Sequence, residues 1–357
     1  MTRPRILRLL VVCPSWVGDV VMATPALRLI RSELPGAFIG GLVRPGLDEL
    51  LAGSGLLDEM HVDRAVGVMG PKHVAGRIRP RRYDTAVLLS NSFSAALIAR
   101  LAFIPRRVGY DRDARGLLLT DRLSPERRGV LGTGGFCPVS AVDYYLRAAR
   151  ATLGDLAQPV PARLELGATS EQERAGAEVL ARAGVGAGQK YAVLNPGGNN
   201  PAKRWPAERF VAVGRHVWET RGWAVLVNGA PGEQELCAQI AAGIAAGGGR
   251  GASLVDAGVT LGALKPIVRG AGVMVTNDTG PRHIAAAMGT PVVTLFGPTD
   301  PRWTSLPPGG GPVVELVANP ELPKDQVADE HPEACRIERI GVGAVIAGVE
   351  RALSPGA

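Results

Sequence analysis

Residues 276–299 read TNDTGPRHIAAAMGTPVVTLFGPT, and the fold depends on how this stretch is parsed. The apolar run Gly272-Val273-Met274-Val275 enters it as a strand. Thr276 to Gly280 form a tight turn, and Pro281 falls at the first helical position, where a missing N–H costs nothing. A short helix of small residues runs over 284–288, Gly289-Thr290-Pro291 stops it, and 292–296 is a second buried strand. A helix opening directly after a strand, with Thr279 and Gly280 at its mouth, presents backbone N–H groups and a positive dipole end. That arrangement suits a phosphate. On this reading Arg282 and His283 add charge or hydrogen bonds; the plainer alternative is an ordinary corner capped by Asp278 or Thr279.

The same grammar recurs upstream. A strand over 191–194 ends in Asn195-Pro196-Gly197-Gly198, followed by a helix over 205–220 and a strand over 224–227. A helix over 233–246, a short strand at 254–255 and a helix over 261–269 complete that half. The first half opens likewise. A strand over 7–13 leads through Pro14-Ser15-Trp16-Val17-Gly18-Asp19 into a helix over 20–34, in which Pro25 is a kink or a delayed start. Strands over 37–43 and 83–89 and helices over 47–51, 95–101 and 142–153 follow. Residues 109–137, rich in Gly and Arg, read as a substrate-facing loop, and 157–161 as a stiff Pro-punctuated connection. A helix over 171–183 opens the second half. Such alternation predicts an α/β protein of two Rossmann-like, doubly wound parallel sheets. We place the domains at 1–165 and 166–340, with a final helix in 341–357 expected to pack back on the first.

With 357 residues, 46% of them hydrophobic and 20% charged, the chain has ample material for two globular cores. A net charge of +7 favours polyanionic partners, but aromatics at 4% argue against the stacking platforms of single-strand nucleic-acid binders, so no nucleic acid is expected. The basic character is concentrated in the first half, at Arg77, Arg79, Arg81, Arg82, Arg106, Arg107, Arg127 and Arg128. Lysine occurs only at Lys72, Lys190, Lys203, Lys265 and Lys324, so an individual arginine says little and a lysine says more. Cys13, Cys137, Cys237 and Cys335 lack CxxC spacing, which fits a reducing cytoplasm, and the five histidines lack metal-ligand spacing. No signal peptide is evident and no apolar run approaches about 20 residues.

Three places have the character that chemistry requires. Asp19, beside Gly18 at the carboxyl end of the first strand, suits a general base toward a hydroxyl, with a helix N-cap as the plainer role. In Asn195 to Pro206 the adjacent Gly197 and Gly198 allow close backbone approach, and Lys203 neutralises phosphate as a point charge; the alternative is a surface loop anchored by Trp205. The third place is the opening stretch. Glu233 suits ribose hydroxyls or is simply a first-turn carboxylate. Neither a Walker loop nor a GxGxxG fingerprint after the first strand is present.

Together, PSWVGD at 14–19, PGGNNPAKRWP at 196–206, NDTG…H at 277–283 and FGPTDP at 296–301 resemble, in order and spacing, the ADP-heptose:lipopolysaccharide heptosyltransferases. They look most like that family's heptosyltransferase II members. The resemblance implies a GT-B fold with acceptor on the amino-terminal domain and ADP-heptose on the other. It implies inverting transfer of heptose to a heptose of the lipopolysaccharide inner core, without an obligatory metal. Asp19 then matches the proposed base. Lys203 and Asp278 match the groups at the donor's phosphate and sugar, and Thr279 and Gly280 the diphosphate turn. Gly197, Gly198, Glu233 and His283 fall in the donor site, with Gly18, Arg77 and Arg81 assigned to a lipid A core acceptor. A cytoplasmic enzyme in transient contact with the anionic inner-membrane surface through Arg77–Arg82 is the corresponding expectation. Pro281-Arg282 departs from the family's usual apolar-polar pair, and Asn199-Asn200 from many relatives' donor loop. Another nucleotide-sugar donor, a protein acceptor or a catalytically silent binding module are the competing readings.

Overall fold

The computed structural model describes residues 5–128, 135–154 and 161–354. The chain divides into two units, Met1–Glu165 with Arg302–Pro307, and Leu166–Pro301 with Pro308–Ala357. The first carries strands β1 (Arg8–Val12), β2 (Phe38–Val43), β3 (Glu59–Val62), β4 (Thr85–Leu88), β5 (Arg106–Tyr110) and β6 (Asp121–Leu123). Its helices are α1 (Val17–Met22), α2 (Thr24–Glu33), α3 (Leu47–Leu51), α4 (Gly70–Ile78), α5 (Phe93–Leu101) and α6 (Ala141–Leu153). The strands form one sheet in the order β3-β2-β1-β4-β5-β6, every pair parallel. β1 is RLLVV because a central parallel strand is covered on both faces, so its apolar residues run on without alternating.

The second unit repeats the plan. Its strands are β7 (Tyr191–Asn195), β8 (Ala224–Val227), β9 (Gly251–Ser253), β10 (Val273–Asn277), β11 (Val292–Phe296) and β12 (Val313–Val317). Its helices are α7 (Ser170–Arg182), α8 (Ala207–Arg221), α9 (Gln234–Ala246), α10 (Leu261–Gly270), α11 (Gly280–Met288) and α12 (Val342–Leu353). The parallel sheet runs β12-β11-β10-β7-β8-β9, the same winding as the first. In each sheet the chain reverses its direction of winding between the first strand and the fourth, β1/β4 and β7/β10. The crevice at the carboxyl ends of such a strand pair is where open α/β sheets hold ligands.

Several expectations are corrected. The predicted helix over 20–34 is two helices meeting at Ala23, and Pro25 sits at the start of α2, where it removes no helical bond. Residues 109–137 are not one loop: they include the end of β5 and the three-residue edge strand β6, too short to show a period, while 129–134 lie outside the described residues. β3, α4, β5 and β12 were not anticipated, and β9 falls at Gly251–Ser253 rather than 254–255. The linker reading at 157–161 lies mostly outside the described residues. The last helix is part of the second unit. α12 lies against α8, β10, β11 and β12, with Val345, Val349 and Ala352 buried in the second unit's core. No helix among the described residues is long and apolar enough to cross a membrane.

Candidate active site

In the second unit the site forms at the β7/β10 crevice. Asn277, the last residue of β10, ties the two loops together. Its amide donates to Pro196 O (2.6 Å) and Gly197 O (3.2 Å), and its Oδ1 accepts from Trp205 N. Asn228 donates to Asn195 Oδ1 (2.7 Å), and Asn195 in turn donates to Thr279 Oγ1 (3.0 Å). Buried amides of this kind, paired at both ends, hold a loop in one geometry. Thr279 is the N-cap of α11 but its side chain makes no capping bond at the helix mouth that was read as an anion seat.

Lys203 is delivered by a short helical turn, Pro201–Lys203, which Asn200 caps by accepting from Ala202 N at 3.0 Å. Its ammonium, on a side chain 26% exposed, sits 3.1 Å from Asp278 Oδ2. The other oxygen, Oδ1, accepts from Arg282 Nη1 at 3.0 Å. Burial alone would raise the Asp278 carboxyl, but Arg282 and Lys203 outweigh it and hold the group below the usual carboxylate range. Arg282 is fully buried and also donates to Glu315 Oε1 at 3.0 Å. His283 is buried, with burial and then Arg282 lowering its imidazole to about 3, so it is neutral. Arg282 and His283 therefore do not offer charge to a ligand from this turn, contrary to the sequence reading. His283 packs inside α11's buried face.

Glu233 proves to be a brace. One carboxylate oxygen accepts from Gly198 N (2.8 Å) and the other from Ala230 N (2.9 Å). This explains Gly197, because a Cβ there would lie 2.0 Å from Glu233 Oε2. The missing side chain makes room for the brace. Gly198 donates to that brace, and its carbonyl accepts from Arg204 Nε at 2.8 Å.

In the first unit Asp19 is the third residue of α1, whose N-cap is Trp16, so the carboxylate is not a cap. Oδ1 accepts from the buried Tyr145 Oη at 2.9 Å, and Gly18 is buried in the same turn. Asp19 faces a cavity of about 560 Å³ with Asn91, Tyr110, Arg112, Tyr144 and Trp303 among its walls. Tyr110 and Tyr144 stack with ring centroids 3.7 Å apart, and Tyr145 meets Tyr144 edge-on. Arg115, fully buried, fixes this wall by donating to Tyr110 O (2.9 Å), Asn91 Oδ1 (2.9 Å) and Ser90 O.

Arg77 and Arg81 are elsewhere. Arg81 precedes β4 and its carbonyl accepts from Arg8, the first residue of β1, whereas Asp19 follows the last; the sheet separates them. Arg81 also pairs bidentately with Glu59, at 2.6 and 3.0 Å. Arg77, exposed in the last turn of α4, lies at that same amino edge. Neither lies beside Asp19, because a helix returning between parallel strands ends at the edge opposite the carboxyl ends of those strands.

The model of glycosyltransferase family 9 (heptosyltransferase) matches residues 72–331. The chain belongs to this family. The enzyme is thus a glycosyltransferase, and its two doubly wound units are those of the GT-B fold. It is 27% identical to lipopolysaccharide heptosyltransferase 2 of Escherichia coli K12 over 305 residues, 84% of this chain and 85% of that protein. The solved E. coli ADP-heptose heptosyltransferase II superposes with a TM-score of 0.77 at 23% identity, covering 97% of this chain and 98% of its own. A family 9 glycosyltransferase from Veillonella parvula gives 0.78 at 20% identity, covering 97% of each chain.

For this family 9 chain, sequence reasoning missed Tyr145, Arg115 and Trp303. Tyr145 lies 126 residues from Asp19, and nothing local marks it. Trp303 lies two residues beyond FGPTDP, so extending that motif by two residues would have found it. Tyr145→Phe removes a single donor to Asp19 while keeping the ring. Turnover should fall about three- to tenfold, as expected for one hydrogen bond, with ADP affinity unchanged by calorimetry.

Proposed function

We propose that the chain moves heptose from ADP-L-glycero-D-manno-heptose to a heptose of the lipopolysaccharide inner core, with inversion at the anomeric carbon. Its support is the division of chemistry between the crevices: Lys203, Asp278 and the α11 mouth in one unit, Asp19 above an aromatic-walled cavity in the other. The relatives' names favour ADP-heptose as donor and a lipopolysaccharide acceptor.

Asp19 takes the proton of an acceptor hydroxyl as its oxygen bonds to the anomeric carbon. The bond to the diphosphate oxygen breaks, and ADP leaves with the electron pair. Lys203 and the N–H groups at Thr279 and Gly280 stabilise its charge. Asp278 holds the donor sugar, and Gly197, Gly198 and Glu233 shape the donor loop. The lipid A core acceptor occupies the cavity beside Asp19, and the enzyme works at the cytoplasmic face of the inner membrane in transient contact with its anionic surface. With Lys203 and the helix mouth carrying the leaving charge, turnover is expected to survive EDTA; abolition restored by one divalent cation would overturn that assignment.

The test is ADP release from ADP-heptose with and without a lipid A core bearing one heptose. Acceptor-dependent release supports the reading. Donor binding with no release on any heptose-bearing core overturns the acceptor, and release only with another nucleotide sugar overturns the donor.

A further inference from the structure

The lysine assigned to the donor's phosphate is already engaged. Lys203 reaches Asp278 at 3.1 Å, and a cation held by a buried carboxylate is a poor partner for an arriving diphosphate unless that carboxylate has another counter-charge. Asp278 has one. Its two oxygens are divided between two cations of opposite character. Lys203 comes from a loop turn, is partly exposed and acts as a point charge. Arg282 is wholly buried one helical turn on, clamped by Glu315 at 3.0 Å and lying over the Phe296 ring at 4.6 Å. One of these cations can turn to a ligand and the other cannot.

We propose that Arg282 is a positioning residue for the diphosphate: by neutralising Asp278 from behind, it leaves Lys203 free to exchange the carboxylate for a phosphate oxygen. This rests on Lys203 being the donor's phosphate contact. Without Arg282, Asp278 would be a buried anion with Lys203 as the cation between it and the crevice, and the ligand would compete against that pair. Only the fraction of molecules in which Lys203 has turned outward would bind, and apparent affinity falls by that fraction. The position is where the chain departs from its family resemblance, with Pro281-Arg282 between Gly280 and His283.

A merely structural Arg282 would tie α11 to β12 through Glu315, and Glu315→Gln tests that tie while leaving Asp278 neutralised. The experiment is calorimetric titration of the full chain with ADP. Lacking the heptose, ADP does not report on any contact Asp278 makes with the sugar. Arg282→Met, similar in length and apolar, should raise Kd about tenfold, corresponding to Lys203 being competent in about a tenth of molecules. Glu315→Gln and the charge-conserving Arg282→Lys should stay within about threefold of the parent. The deciding variant is Arg282→Met combined with Asp278→Asn. Removing the anion that traps Lys203 should restore ADP affinity to near that of the parent. A double variant as weak as Arg282→Met, or Glu315→Gln as weak as either, overturns the proposal in favour of a structural tie. Arg282→Met binding ADP like the parent also overturns it, and leaves the donor site standing. A parent chain that binds no ADP overturns the donor site and the proposal together.

Discussion

Asp19→Asn should lower acceptor-dependent ADP release by about a thousandfold while leaving the Kd for ADP unchanged. The substitution keeps size and planarity, and an Asn carbonyl oxygen still accepts from Tyr145 Oη, which lies 2.9 Å from the carboxylate. What it removes is the capacity to take a proton. The general-base contribution in such reactions is about 10² to 10⁴ in rate. Because Asp19 belongs to the first unit and the proposed ADP crevice to the second, binding and turnover should separate cleanly. A variant that keeps a tenth or more of the parent rate would remove Asp19 from the base role and turn attention to the other acids on the cavity wall, Glu126 and Asp143.

Lys203→Ala carries the second large effect, in the opposite compartment. Its ammonium is the partly exposed cation at Asp278, and truncation leaves Arg282 as the buried cation on that carboxylate. The diphosphate then meets a site that has lost its one partly exposed cation at Asp278. Loss of a charge-assisted contact to a developing anion lowers kcat/KM by about a hundredfold. Steady-state kinetics with ADP-heptose, read beside Asp19→Asn, should show a raised donor KM that the Asp19 variant does not share. Lys203→Arg should recover only part of the loss, since the fork is bulkier than the point charge this turn presents. Unchanged kinetics in Lys203→Ala would take the residue out of the donor site.

The central strands and their outgoing turns were legible because each joins a continuous apolar run to a glycine- or proline-marked corner. Tyr191–Asn195 before Pro196-Gly197-Gly198 and Val273–Asn277 before Thr279-Gly280 are the clearest cases. Edge strands escaped notice: Glu59–Val62 and Asp121–Leu123 are only four and three residues long and half-exposed, too short for a period to stand out. Side-chain placement was legible only where chain direction constrained it. Asp19 and Lys203 follow the carboxyl ends of central strands and had to fall near a crevice. Arg81 looked equivalent as a charge, but only the path of α4 through the unit reveals that it emerges at the other edge. Glu233 and Gly197, 36 residues apart, explain each other solely through a contact no local pattern records.

Residues Arg302–Pro307 belong to the first unit although the chain on either side of them belongs to the second, and Trp303 and Thr304 stand in the wall of the cavity beside Asp19. A gene cut at residue 165 therefore does not yield an intact amino-terminal half. Any chimera joined there inherits Asp19 from one parent and part of its surroundings from the other. Swapping acceptor preference between relatives calls for a two-segment graft, and a single crossover carries a built-in mismatch. Natural recombination faces the same constraint, so the two halves are expected to share one ancestry.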